Sequence, residues 1–242
     1  MHRLLVETTE LLSSSPTLSK EAQNHLRVLR PKEGECVELF DGCGGLRMTT
    51  YDAAGRCLKP IELARSIARP PALTLFACVT KGSRWDWTIE KATELGVTRI
   101  VPVMSARTIV KVASGEADGK RERWTKIAEE AARQSDAAWV PEIVKPVSFA
   151  DALRLVEETT CFVGALTNPP PKTIGEELAA RRELAEPAIF VGPEGDFTPE
   201  ELDALIARAI PVSFGSTILR AETAAIYGIS CLKAVLDGLH AR

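Results

Sequence analysis

The sequence predicts an α/β protein, a mainly parallel sheet preceded by a small β-rich unit. Three observations predict it. From residue 72 on, six apolar runs alternate with helical patterns, as strand–helix repeats do. Before residue 67 the apolar runs are short, alternating and broken by glycine turns. Between the two lies "RSIARPPA", whose prolines read as a linker, so the units are expected at 1–67 and 72–242.

In the first unit "HRLLVE" reads as a strand. "SKEAQNHLRVLR" reads as a helix with Ser19 as N-cap and Pro31 as its stop. "GECVELFDG" alternates Val37 and Leu39 against Glu35 and Glu38, which predicts a half-buried strand ending in an Asp-Gly turn. "GGLRMTTYDAAGRCLKPIELA" continues as short strands, giving a small barrel-like module.

In the second unit "ALTLFACVT" is a continuous apolar strand, buried on both faces. "SRWDWTIEKATELG" is a helix stopped at Gly96, and "VTRIVPVM" is a strand. "KRERWTKIAEEAARQSD" is a long helix, "EIVKPV" a strand and "FADALRLVEET" a helix. "CFVGALTN" is a strand followed by three prolines, then "IGEELAARREL" is helical and "AIFVG" extended. Thr198-Pro199-Glu200-Glu201 is a capping box with Pro at the first helical position. "PVSFG" and "AETAAIYGISCLKAVLDGL" are the last strand and helix.

Composition excludes several classes. Apolar residues make up 45% and charged residues 26%, as in ordinary globular domains. No apolar run approaches the roughly 20 residues of a membrane span. The acidic, weakly apolar start does not read as a signal peptide, so a cytoplasmic location is expected. The 6 cysteines form no C-x-x-C pair and are expected as buried free thiols; with 3 histidines, no metal site is expected. His25 falls on the apolar face of its helix and reads as a packed residue. Net charge is −3, yet residues 69–126 hold 11 Lys/Arg against 6 Asp/Glu. That excess suits an RNA-facing stripe and equally a set of solvated helix faces.

Function is sought in Phe190 to Ala225, where two glycine turns flank the capped helix. Strand ends that open side by side make a ligand crevice in an α/β sheet. Gly192-Pro193-Glu194-Gly195 is neither a P-loop nor a dinucleotide fingerprint, because the required spacings are absent. Its glycines permit close approach and positive φ. Arg220, Glu222 and Thr223 begin the last helix, where an arginine beside a carboxylate serves either a salt bridge or an oxyanion. No Ser/His/Asp or Cys/His set is visible.

"GPEGDFTPEEL", "FGSTILRAETA", "KGSRWDWTIEKATELGV" and "HLRVLRPKEGECVELFDGCGG" occur in order over nearly the whole chain. Together they resemble the RsmE family, the 16S ribosomal RNA (uracil-N3)-methyltransferases of the SPOUT superfamily. The resemblance implies a SPOUT-type, trefoil-knotted, mainly parallel sheet and a small N-terminal PUA-like RNA-binding barrel. It also implies S-adenosyl-L-methionine as cofactor, a homodimer, and 16S rRNA or the small ribosomal subunit as substrate. The cofactor residues would be Leu166, Thr167 and Asn168; Gly192, Pro193, Glu194 and Gly195; Phe214, Gly215, Ser216, Ile218 and Leu219; and Thr223 with Ala224. Arg220, Glu222 and Thr223 match the family's Arg-x-Glu-Thr motif, with Arg220 and Glu222 as catalytic candidates. Arg27, Arg30, Lys81, Arg84 and Arg107 would meet RNA, and Lys91 and Glu94 complete the motif around Lys81.

The chain departs from the family pattern at Asp196, where a second glycine is usual, and at Phe214-Gly215-Ser216-Thr217, where Leu-Gly-Pro-Arg is usual. Ala137 stands where an arginine follows Gln134. Those departures weaken the expected phosphate contacts and leave open another RNA substrate, such as tRNA, or a non-catalytic RNA-binding relative. In the main reading Arg220 stabilises charge on the uracil oxygens, while Glu194 or Glu222 takes the N3 proton.

Overall fold

The structure is a computed structural model that describes residues 2–181 and 183–240. The chain divides into two compact units. The first holds the residues up to Arg69 together with Glu129–Val140; the second holds Pro70–Ala128 and the residues from Pro141 on.

The first unit contains β1 (His2–Leu5), α1 (Thr8–Leu12), α2 (Lys20–Leu29), β2 (Cys36–Phe40), β3 (Gly45–Asp52), β4 (Cys57–Pro60) and β5 (Arg65–Ser66). Its sheet runs β1-β2-β3-β4, with β5 also on β3; β1 and β2 are parallel and the remaining pairs antiparallel. Ser19 caps α2 by accepting from the Ala22 N–H, and Arg30 ends the helix in the left-handed region. Leu4, Val37, Leu39 and Leu58 form the core with Leu11 and Leu26 from the helices.

Glu38 is not on a solvent face. It is 5% exposed, because the register of β1 on β2 sets Arg3 beside it. Arg3 Nε donates to Glu38 Oε2 at 2.8 Å, and Arg65 Nη2 donates to Oε1 at 3.1 Å. The Arg3 guanidinium lies 4.4 Å from the Phe40 ring centre and also donates to the carbonyls of Ala132 and Ala137. Those bonds, with Trp139 Nε1 donating to the Ile67 carbonyl, tie Glu129–Val140 into this unit. His25 is half-buried beside Arg133, whose Nη1 lies 3.1 Å from His25 Nε2. Burial, and then the Arg133 charge, lower its pKa.

The second unit is an all-parallel sheet. Its strands are β6 (Thr74–Cys78), β7 (Arg99–Met104), β8 (Glu142–Ile143), β9 (Val147–Ser148), β10 (Thr160–Gly164), β11 (Pro187–Val191) and β12 (Ile210–Val212). Their order is β12-β10-β11-β6-β7-β8, with β9 also on β7. Its helices are α3 (Ser83–Glu94), α5 (Phe149–Val156), α6 (Ile174–Ala179), α7 (Pro199–Ile206) and α8 (Ala221–His240), while α4 (Ala117–Gln134) begins in this unit and from Glu129 on belongs to the first. β6 and β11 are buried at every position, as continuous apolar strands between helix layers must be. Phe76 and Phe190 stack across them at 5.5 Å.

Three expected elements come out differently. "EIVKPV" is two short strands, β8 and β9, separated by Pro146, which offers no N–H to the ladder. β10 ends at Gly164 rather than continuing to Asn168, and α6 ends at Ala179. Of the cysteines only Cys78 and Cys161 are buried; burial pushes their thiols up to about 11 and about 12. Cys36 opens β2 and Cys43 sits in the turn after it, and both are exposed.

Candidate active site

β10, β11 and β12 are neighbours, and the chain leaves all three at the same edge of the sheet. Their loops enclose a cleft of about 490 Å³. Gly164–Leu166 form one wall, Val191–Glu194 with Asp196 a second, and Val212–Gly215 with Thr217–Ala221 a third. Ala224 and Arg84 complete it. Its size and mostly apolar lining are those of a small-molecule site.

Main-chain geometry makes the cleft. A Cβ on Gly164 would stand 2.5 Å from the Phe214 ring, so only glycine lets that ring close over the strand end. Phe214 is held there edge-on to Tyr227 of α8, at 5.7 Å. Gly215 has φ +112° and donates its N–H to Ser213 Oγ, which turns the third wall back toward the cleft. The Gly192–Gly195 turn is different from its expectation. The left-handed residue there is Asp196, at φ 59°, and neither glycine is in that region. Asp196 N donates to the Pro193 carbonyl, and Asp196 Oδ1 accepts from Phe197 N. Asp is one of the few residues that tolerates this conformation in place of glycine.

Of the residues expected to hold a cofactor, Leu166, Gly192, Pro193, Glu194, Phe214, Gly215, Ile218, Leu219 and Ala224 line the cleft. Thr167, Asn168, Gly195, Ser216 and Thr223 do not. Thr167 Oγ1 donates to the Pro169 carbonyl, and the Gly195 carbonyl accepts from Arg107. Ser216 and Thr223 are exposed. Leu166 and Ile218, 65% and 82% exposed, stand as aliphatic lips at the rim. Asp196 and Thr217, noted in the sequence only as departures, both belong to the wall.

The charged candidates separate as well. Arg84 lines the cleft, with Nη1 3.5 Å from Glu194 Oε1 and Nε 3.9 Å from Glu222 Oε1. Glu222 itself lies under the cleft floor. Its Oε2 is buried without a hydrogen-bond partner among the described residues, in a small void shared with Thr80 and Trp85. Arg220 is exposed at the cleft mouth, and among the described residues no carboxylate pairs with its guanidinium. Arg107 supports the second wall, donating from Nη1 to the carbonyls of Gly195 at 2.9 Å and Phe197 at 3.1 Å. Lys81 is exposed and does not line the cleft. Arg27 and Arg30 belong to the first unit and are not among the lining residues.

The second wall is also pinned from α7. Thr198 and Glu201 form the reciprocal capping box, and Glu201 Oε1 accepts from Ala106 N at 2.8 Å. Among the described residues no helix is long and apolar enough to cross a membrane.

Residues 68–233 match the RNA methyltransferase domain family. The chain is 31% identical over 242 residues to the ribosomal RNA small subunit methyltransferase E of Synechocystis sp., covering 98% of this chain and 78% of that one. Against the protein of the same name from Bacillus subtilis it is 30% identical, covering 96% of each. The crystal structure of a ribosomal RNA small subunit methyltransferase E from Neisseria gonorrhoeae, bound to S-adenosyl methionine, superposes with a TM-score of 0.83 at 29% identity, over 97% of this chain and 98% of that one. The chain belongs to the RNA methyltransferase domain family and, within it, to the ribosomal RNA small subunit methyltransferases E.

Proposed function

We propose that the protein is an S-adenosyl-L-methionine-dependent methyltransferase that methylates N3 of a uridine in the 16S rRNA of the small ribosomal subunit. The observation that carries this reading is the cleft where three neighbouring parallel strands end, with Arg220 at its mouth and, among the described residues, no carboxylate paired with it. The residues fit the cofactor. Glycines admit the close approach of a flat adenine, and Leu166, Ile218 and Leu219 give it apolar cover.

When bound, S-adenosyl-L-methionine supplies an electrophilic methyl group on a sulfonium. The three walls would hold the cofactor, and fixing its methyl group against the acceptor nitrogen would provide much of the rate. As the N3–C bond forms and the methyl–sulfur bond breaks, the N3 proton leaves and negative charge spreads to the uracil oxygens. Arg220, at the mouth, stabilises that charge. Of the two carboxylates near Arg84, Glu194 faces the cleft and takes the proton, while Glu222 positions Arg84 from below.

The resemblance supports three further parts of the reading: a homodimer, a PUA-like RNA-binding barrel in the first unit, and a cytoplasmic setting. For the trefoil knot the support is a set of main-chain bonds. Ala165 N donates to the Val212 carbonyl, Ser213 N to the Lys172 carbonyl, and Ile174 N to the Ser213 carbonyl. Val212-Ser213 thus runs between the two arms of the 165–173 loop, the arrangement a threaded chain requires.

The test is to incubate the purified protein with S-adenosyl-L-methionine and small subunits from cells lacking the enzyme, then map modified bases by mass spectrometry. One 3-methyluridine in 16S rRNA is expected. A methyl group on tRNA, or none on any RNA, would overturn the assignment.

A further inference from the structure

The first unit carries a cleft of its own, of about 620 Å³. It is formed by the Pro16–Leu18 loop, one face of α2, Tyr51 of β3 and the turn at Arg56-Cys57. Its charged lining residues are Arg27, Arg30 and Arg56, with no acid among them.

The nearby carboxylates are engaged elsewhere. Asp52 pairs with Lys59 and accepts from the N–H groups of Ala54 and Gly55. Glu33 Oε2 accepts from Ala53 N, and Glu35 Oε2 accepts from Lys32 N. Arg27 has a neutral neighbour, Asn24 Oδ1 at 3.5 Å. Among the described residues no carboxylate pairs with any of the three arginines, so the cleft is a positive concavity.

Two of these arginines sit where the backbone favours another residue. Arg30, capping α2, has φ 48°, and Arg56, in the β3–β4 turn, has φ 50°. Helix ends and tight turns normally give left-handed positions to Gly, Asn or Asp. Gly34 and Gly42 take that role elsewhere in the same unit. Keeping arginine at both positions costs backbone energy and brings two guanidinium groups to one cleft.

We infer that this cleft is a second substrate subsite, which takes an unpaired nucleotide of the RNA, its phosphates on Arg30, Arg56 and Arg27 and its base against Tyr51. The inference rests on RNA being the substrate under the reading above. Guanidinium forks match phosphate oxygens, and single-stranded RNA is held by stacking its splayed bases on aromatic rings. Tyr51 is packed against the apolar core of the unit and lines the cleft, so its ring is held in place before a base arrives. Arg27 and Arg30 were expected at RNA from the sequence; Arg56 and Tyr51 were not, because nothing local joins a turn residue to a helix cap 26 positions earlier.

The test uses the full-length protein, a labelled single-stranded fragment of small-subunit RNA, and affinity measured across a salt series. The Arg30→Ala/Arg56→Ala variant is expected to bind that RNA at least tenfold more weakly. Its salt slope should fall by about 1.4, since each phosphate contact to a single strand contributes about 0.7. Arg56→Gly should keep or raise the melting temperature while losing RNA affinity, which separates a binding role from a structural one. Tyr51→Leu, which keeps the apolar packing, should weaken binding at least fivefold at unchanged salt slope. Unchanged affinity and slope in the folded double variant would overturn the subsite. If that variant also methylates RNA like the wild type, the methyltransferase reading stands without the subsite. A wild type that transfers no methyl group, with variants that lose RNA affinity as described, would sink the methyltransferase reading and leave the subsite.

Discussion

The cleft at the ends of β10, β11 and β12 takes its shape from main-chain positions at Gly164, Asp196 and Gly215, whereas the charged residues lining the cleft of the first unit are all arginines. The first kind of site depends on dihedral angles and on close approach, so it survives substitutions that respect the backbone. Asp196 illustrates this: it holds a left-handed position without disturbing the turn. The second kind depends on residue identity, and even pays backbone strain to keep it at Arg30 and Arg56. Departures from a family pattern therefore mean less in the main-chain cleft than in the arginine cleft.

The largest effect is expected within the first unit. Arg3→Ala leaves Glu38 buried beside the single, exposed Arg65, and should cost about 3–5 kcal/mol in urea unfolding. Arg65→Ala, which removes the exposed partner, should cost less than about 1 kcal/mol. Equal losses would show that Glu38 is not held as described.

Next comes the side chain assigned to charge stabilisation at the mouth of the cleft of the second unit. Arg220→Ala should lower the single-turnover methylation rate by about 100- to 1,000-fold, with cofactor affinity within a few-fold of the wild type. Full activity would remove Arg220 from the chemistry.

Gly164→Ala drives a Cβ against the Phe214 ring, and should destabilise the second unit by about 1–3 kcal/mol while weakening cofactor binding. The smallest effect is expected of Asp196→Gly. It relaxes a left-handed residue but loses the bond from Phe197 N, so stability should move by less than about 1 kcal/mol and cofactor affinity should hold. A large loss in either would show that the Asp196 side chain, rather than its backbone, matters to the wall.

What the sequence made legible follows from the range of the forces involved. Caps and strands at Ser19, Thr198, β6 and β11 were readable because their causes lie within a few residues. Glu38 was misplaced because its partner, Arg3, is 35 positions away, and alternation reads a charge as solvent-facing unless its partner is seen. Glu129–Asp136 read as the end of a helix in the second unit, yet with Ala137–Val140 it joins the first, since periodicity gives a buried face but not the core it joins. In the cleft, the residues themselves pointed to two glycine turns, and the third loop, 166–168, came from the family resemblance. Neither could tell lining residues from those that turn away, such as Thr167, Gly195 and Ser216, because that depends on dihedral angles. Arg107 is the reverse case, a residue expected at RNA that instead donates to the carbonyls of the second wall.

The most direct test of the central claim, that the main-chain cleft alone holds the cofactor, is calorimetric titration of S-adenosyl-L-methionine into three proteins: the wild type, Gly164→Ala, and Arg30→Ala/Arg56→Ala. Saturable binding of one cofactor per chain is expected in the wild type, unchanged in the double arginine variant and at least tenfold weaker in Gly164→Ala. No heat at millimolar cofactor, or equal affinity in folded Gly164→Ala, would contradict it.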